Sequence, residues 1–71
     1  METNIRLKLG KKIKELRNKR GYTQDKLSEV ANIDYKYVQR IEGNNPPALK
    51  IDTIEKIAKA LKVKPARLLE F

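Results

Sequence analysis

The sequence predicts an all-α fold of about five helices, on the basis of three observations. Apolar residues recur at spacings of three and four through most of the chain, as they do along one face of an α-helix. Helix-capping polar residues stand just before several of these runs, and glycine, asparagine or proline stands after them. No segment alternates apolar and polar residues as a half-buried strand does. The 71 residues suit one small domain, and we expect residues 1–71 to form it.

The first predicted helix begins after a cap at Thr3 or Asn4 and runs to about Lys19. Gly21 follows it, in the place where a residue of left-handed backbone conformation commonly ends a helix. Residues spaced four, four and three apart form its apolar stripe, namely Ile5, Leu9, Ile13 and Leu16. The lysines of this segment lie mainly off that stripe, so the helix is basic and amphipathic.

Two short helices follow, joined by a tight turn. Thr23 caps the second helix and Asn32 ends it, while Asp34 caps the third helix two residues later. Ile33 and Val38 flank that cap as a hydrophobic staple, which fixes the entry angle of the chain. The apolar side of the second helix is expected to consist of Leu27, Val30 and Ala31.

A loop is predicted at GNNPP, residues 43–47, because this run cannot continue a helix. The fourth helix is expected to start at Asp52, with Glu55 completing a capping box. Its apolar stripe comprises Ile54, Ile57, Ala58 and Leu61. Pro65 suits the first position of a short last helix, and its inward side chains are expected to be Leu68, Leu69 and Phe71.

Charge and composition favour a polyanionic partner. The chain has 17 Lys and Arg against 9 Asp and Glu, a formal net charge of +8. Nucleic acid is the first candidate partner and an anionic membrane surface the second. Without cysteine or histidine, the chain lacks disulfides and the usual zinc ligands. We expect no metal, no cofactor and no small-molecule ligand, and the sequence offers no constellation for catalysis.

The third helix divides into two faces on a helical wheel. Val38 and Ile41 share one side, whereas Lys36, Gln39 and Arg40 lie opposite. Tyr35 projects from the first turn, and the polar face carries no acid. Arginine can donate two hydrogen bonds to guanine, glutamine pairs with adenine in the same bidentate way, and tyrosine can contact phosphate or a thymine methyl group. This pattern is typical of a helix that lies in the major groove of DNA. The alternative is an ordinary amphipathic helix with a solvated polar face, although such a face would normally carry acids.

The chain resembles the phage-repressor/Cro-like (Xre-type) family of helix-turn-helix regulators over roughly residues 9 to 69. The resemblance implies the compact lambda-repressor-like fold of five helices, with the helix-turn-helix formed by the second and third. The residues that carry it, in order, are Leu16-Arg17, Gly21, Thr23-Gln24, Leu27, Tyr37-Val38, Arg40-Ile41-Glu42-Gly43, Pro47 and Ile57-Ala58-Lys59-Ala60-Leu61.

The resemblance also implies roles for individual residues. Gln24 is expected to touch a DNA phosphate and to brace the third helix. Arg17 and Glu42 are expected to form a partly buried ion pair that ties the first helix to the third without touching DNA. The expected contacts with base edges or nearby phosphates come from the third helix, at Tyr35, Lys36, Gln39 and Arg40. The loop that follows is expected to track the DNA backbone through Asn44, Asn45 and Lys50, although residues of this kind equally often serve only to build the turn.

The predicted function is therefore sequence-specific binding of double-stranded DNA by a cytoplasmic, nucleoid-associated transcription regulator. A compact repressor or restriction–modification controller fits the chain best; an antitoxin, and the DNA-binding domain of a larger regulator, remain alternatives. A homodimer is expected through Leu68, Leu69, Phe71 and the outer side of the fourth helix, although these side chains could instead close the core. A different class, a basic amphipathic module for membranes or proteins, would need the apolar stripe of the first helix to be exposed.

Overall fold

The structure, a computed structural model that describes residues 4–71, is all-helical. The elements in chain order are α1 (Ile5–Lys19), α2 (Gln24–Ala31), α3 (Tyr35–Ile41), α4 (Ile51–Leu61) and a 3-10 helix (Pro65–Leu69). The predicted all-α class is confirmed. The fifth element, however, is a 3-10 helix and not an α-helix, which suits its five-residue length.

The caps of the first helix agree with the sequence. The Asn4 side chain accepts a hydrogen bond from the backbone N–H of Leu7 at 3.2 Å, while Thr3, the alternative cap, lies outside the described residues. Beyond the other end, Gly21 has φ +74°, a conformation that costs glycine little because it has no Cβ.

The turn between α2 and α3 is also built by the expected residues. Thr23 accepts from the N–H of Lys26 at 3.0 Å, and Asp34 accepts from the N–H of Lys36 at 2.9 Å. Between them, Asn32 adopts the left-handed conformation with φ 58° and ψ 49°, which reverses the chain after α2. Local capping therefore sets the angle between the two helices.

The predicted start of the fourth helix is wrong. Lys50 is the capping residue and its side chain makes no capping hydrogen bond. Its carbonyl accepts from Thr53 and Ile54 at 3.0 and 3.1 Å, so the helix begins before Asp52. Asp52 therefore lies inside the first turn, where its charge favours the helix dipole, and a capping box with Glu55 is not formed.

One cluster of buried apolar side chains holds the described elements together. Its members are Leu9, Ile13, Leu16, Leu27, Ala31, Val38, Ile41, Ile57, Ala58, Ala60, Leu61 and Leu68. Helix α2 packs against α3 and α4, and the 3-10 helix packs against α1 and α4. Three of the four residues of the α1 stripe, Leu9, Ile13 and Leu16, are buried in this core, so most of the stripe is not available to a lipid surface.

Four apolar residues predicted to face inward are exposed, namely Ile5, Val30, Leu69 and Phe71. Ser28 takes the buried position on α2 in place of Val30, and its hydroxyl is satisfied by donating to the Asp25 carbonyl at 2.6 Å. The tight winding of the 3-10 helix buries Leu68 but turns its neighbour outward. Beyond that helix, Phe71 lies against α1 with its ring 5.7 Å from the ammonium of Lys8.

Helix α1 passes very close to the end of α3 at Gly10. A Cβ at this position would collide with the backbone carbonyl oxygen of Ile41. Gly10 is itself buried, so the neighbouring backbone has little room to retreat. A glycine here is therefore a requirement of the packing, and it sets how closely α1 supports α3.

Candidate nucleic-acid interface

Helix α3 presents a continuous polar face to solvent. Val38 and Ile41 are buried at 1% and 2% exposure and anchor the helix to the core. The side chains predicted to contact DNA are all exposed on the remaining surface, namely Tyr35, Lys36, Gln39 and Arg40. The structure thus brings these four together on one short helix, which begins at the Asp34 cap.

Two of these side chains contact each other. The amide Nε2 of Gln39 donates a hydrogen bond to the hydroxyl oxygen of Tyr35 at 3.2 Å. The two residues are four positions apart, so they are neighbours on the helix surface. Tyr35 keeps its own hydroxyl proton for donation, while Gln39 keeps its carbonyl oxygen and one N–H.

A buried ion pair connects α1 to the C-terminal end of α3. The Nε and Nη2 of Arg17 donate to the two carboxylate oxygens of Glu42 at 2.7 and 3.0 Å. The Arg17 and Glu42 side chains are only 9% and 2% exposed, and Nη1 of Arg17 also donates to the carbonyl of Tyr22 at 2.7 Å. Since Glu42 is the residue that ends α3, this pair fixes the C-terminal end of that helix to α1.

Gln24 joins the same carboxylate. Its Nε2 donates to Oε1 of Glu42 at 3.1 Å, which links the first residue of α2 to the end of α3. One N–H and the carbonyl oxygen of the Gln24 amide remain, and that N–H could donate to a phosphate. The geometry therefore accommodates both roles expected of Gln24, bracing and phosphate contact.

The electrostatics of this surface favour an anion. Within residues 4–71, Lys36 and Arg40 take part in no ion pair. The acid nearest the end of α3, Glu42, is neutralised by Arg17. The Asp34 carboxylate is engaged in capping the N-terminus of α3. The face of α3 therefore carries two cations that no described protein group neutralises.

The loop residues are less well connected to this surface. Asn44 and Asn45 are exposed and follow α3 directly, so they extend its C-terminal end. Lys50 is exposed at the start of α4, and its side chain makes no hydrogen bond or ion pair with α3 in the part of the chain that the structure describes. The two asparagines thus adjoin the candidate surface in the chain, whereas no described contact links Lys50 to α3.

Two lysines of α1 form ion pairs within that helix. Glu15 lies between Lys19 and Lys12, with nitrogen–oxygen distances of 3.3 and 3.4 Å. The hydrogen bond from Lys19 and the charge of Lys12 hold the pKa of the Glu15 carboxyl below its usual value. This carboxylate therefore stays ionised near neutral pH and offsets part of the positive charge of α1.

Sequence reasoning missed two contributors to this site. The role of Gly10 could not be predicted, because a glycine inside a helical pattern usually only lowers the stability of the helix. The Tyr35–Gln39 hydrogen bond was also missed, although the two polar side chains are four residues apart, a spacing that makes them neighbours on a helix. Both features depend on which neighbour lies opposite, and a helical wheel does not show that.

Comparison with known proteins decides the family. A family model described as helix-turn-helix matches residues 13–68. The control protein C.BamHI from Bacillus amyloliquefaciens is 39% identical over 72 residues, covering 100% of this chain and 88% of that protein. The chain belongs to the Xre-type helix-turn-helix family. This helix-turn-helix protein also matches several solved controller structures.

One of them is the restriction–modification controller C.AhdI from Aeromonas hydrophila. It is 30% identical, with a TM-score of 0.84 over 89% of this chain and 94% of that one. Another is C.Esp1396I bound to a 25 base pair operator site, 33% identical with a TM-score of 0.83 over 94% of this chain and 87% of that one. The predicted class of function, a DNA-binding transcription regulator of the helix-turn-helix family, is confirmed. None of the helices in residues 4–71 of this helix-turn-helix protein is long and apolar enough to cross a membrane.

Proposed function

We propose that this regulator is a restriction–modification controller that binds a partly palindromic operator as a dimer. The observation that carries the proposal is the similarity to C.BamHI, which extends over the whole of this chain and 88% of that control protein. The structural similarity to C.AhdI covers both chains to nearly the same extent. The 39% identity to C.BamHI over the full length of this chain is the feature that favours a controller.

The proposed recognition surface is the exposed face of α3, placed in the major groove. Arg40 would donate two hydrogen bonds to a guanine, and Gln39 would pair with an adenine. Lys36 and Gln24 would contact phosphates, which position the protein without selecting a sequence. Asn44, Asn45 and Lys50 are proposed as additional contacts with the DNA backbone.

The proposed dimer places two α3 helices in successive major grooves, with half-sites about 34 Å apart. A shallow apolar groove of about 290 Å³ supports this assembly. Its lining includes residues from α1, the loop, α4 and the 3-10 helix, namely Ile5, Arg6, Leu9, Pro47, Ala48, Leu49, Ile54 and Leu69. Leu68 is fully buried, so of the C-terminal apolar residues only Leu69 and Phe71 are free to meet a second copy.

The test selects duplexes from a random pool with the full chain and sequences them. We expect a half-site repeated in inverted orientation about one helical turn away. Arg40→Ala should relax the preference at one guanine and weaken binding by about 1–3 kcal/mol, whereas Lys36→Ala should weaken binding on all sequences and lower the salt slope by about 1.

Arg67→Ala is the matched control, because it removes one positive charge from the 3-10 helix, where Arg67 pairs with Glu70 at 3.1 Å. Its footprint should match that of the wild type. Binding by the wild type that ignored sequence at moderate salt would contradict the proposal, and so would an unchanged footprint for Arg40→Ala.

A further inference from the structure

The hydrogen bond between Gln39 and Tyr35 lies on the proposed recognition surface. The amide nitrogen of Gln39 is 3.2 Å from the hydroxyl oxygen of Tyr35. Tyr35 is 42% exposed and Gln39 is also exposed, so neither side chain is held in place by the core. The contact between them is the described interaction that orients the Gln39 amide.

We propose that Tyr35 and Gln39 form a single recognition unit that reads one adenine of the operator. In this unit the tyrosine hydroxyl occupies one N–H of the Gln39 amide. The remaining N–H and the carbonyl oxygen then form an edge with one donor and one acceptor. This inference rests on the proposed function, because it concerns the same surface and the same DNA.

The chemistry of the free edge selects the base. Adenine offers an acceptor at N7 and a donor at the N6 amino group, which match one N–H and one carbonyl oxygen. Guanine offers two acceptors, N7 and O6, so it would need both N–H groups of the amide. Because the hydroxyl of Tyr35 already takes one N–H, the observed arrangement disfavours guanine at this position.

Orientation before binding also has an energetic consequence. A glutamine that is free in solution loses side-chain entropy when a base fixes it, and a partner that holds it beforehand reduces that loss. The hydroxyl of Tyr35 is one helical turn from Gln39 and accepts the bond without any change in the backbone. Removal of this hydroxyl should therefore reduce discrimination at one base pair and not affinity in general.

The experiment is a double-mutant cycle measured on DNA. The wild type, Tyr35→Phe, Gln39→Ala and the double variant are each titrated with four duplexes. These duplexes carry the four base pairs at the operator position where Gln39→Ala loses its preference. We expect the wild type to prefer adenine there and Tyr35→Phe to lose roughly three- to tenfold of that preference, the range expected for one hydrogen bond. In the background of Gln39→Ala, Tyr35→Phe should have no further effect on base choice.

Tyr22→Phe is the control, because it removes a phenolic hydroxyl that lies outside α3 and should leave the preference unchanged. The proposal is overturned if Tyr35→Phe weakens all four duplexes equally, since the hydroxyl would then serve only as a phosphate contact. It is also overturned if the effects of the two substitutions on base choice are additive, or if the selected base is not adenine. Failure of the proposed function would look different, because the wild type itself would then select no sequence.

Discussion

At the scale of single residues, the carboxylate of Glu42 is the junction of the helix-turn-helix. One oxygen accepts from Arg17 and Gln24, and the other accepts from Arg17 alone. Three helices therefore meet at two oxygen atoms that are almost completely buried. Every member of this junction has a partner, and no buried side-chain polar atom in the described residues is left unsatisfied.

Loss of one partner from this junction should be costly. Arg17→Met would leave the Glu42 carboxylate buried beside Gln24 without its cation, and Glu42→Gln would leave the guanidinium without its anion. Each substitution is expected to lower the free energy of unfolding by about 3–5 kcal/mol, whereas the double variant should lose much less than the sum. Denaturant unfolding of the four proteins measures the coupling. Additive losses would show that Arg17 and Glu42 do not act as a pair.

The sequence predicted the residues of this junction unequally. The partnership of Arg17 with Glu42 could be proposed only through the family resemblance, since 25 residues separate them. Gln24 was predicted to brace α3, but the group that it braces against was not predicted. A long-range side-chain contact depends on how helices pack, and the local pattern of the sequence does not contain that information.

At the scale of elements, the sequence was most informative where a helix end is made by local chemistry. Thr23, Asn32 and Asp34 were each predicted from their own side chains, because capping involves only the next two or three residues. The start of α4 was predicted wrongly at Asp52 because its actual cap, Lys50, uses no side-chain bond. When a helix begins after extended backbone without a side-chain cap, the sequence contains no capping residue that marks its start.

The approach of α1 to α3 gives a prediction for these elements. Gly10→Ala improves helix propensity by about 1 kcal/mol, but its Cβ would collide with the carbonyl of Ile41. Because that atom belongs to the backbone, we expect the strain to prevail and the protein to be destabilised by about 1–3 kcal/mol. DNA affinity should also fall, since α3 would shift on its support.

Thermal unfolding and duplex titration of Gly10→Ala measure these two effects. Lys11→Ala is the matched control, because it places alanine at an exposed position one residue further along α1 and should change stability little. A more stable Gly10→Ala protein with unchanged DNA affinity would show that α1 does not set the position of α3.

At the scale of the whole molecule, the core was predicted well and the surface was predicted less well. Periodicity identified most of the buried stripes of α1 and α4, because each helix has one face toward a single core; the exceptions are Ile5, which is exposed, and Ile54, which is only partly buried. Periodicity works less well outside these stripes. It could not tell that Leu69 and Val30 lie outside that core, since both are apolar and adjoin buried residues. Whether such a residue closes the monomer or meets a partner depends on the arrangement of all the elements, and the structure leaves Ile51 81% exposed and Leu69 47% exposed.

The last prediction concerns the assembly of two such molecules. A standard interface buries about 800 Å² per partner, about a sixth of the 5025 Å² surface of this chain, and the groove beside Leu69 could form the apolar centre of such an interface. Leu69→Lys should therefore convert a dimer into monomers at micromolar concentration, seen by sedimentation, while the melting temperature of the dilute protein stays the same.

Val30→Lys is the matched control, since Val30 is similarly exposed at 43% but lines a different groove, with Lys56 and Lys59. Leu69→Lys should bind a single half-site as the wild type does and lose affinity only for the two-half-site operator. A wild-type protein that sediments as a monomer at these concentrations, or a Leu69→Lys variant that remains a dimer, would show that the interface is not here.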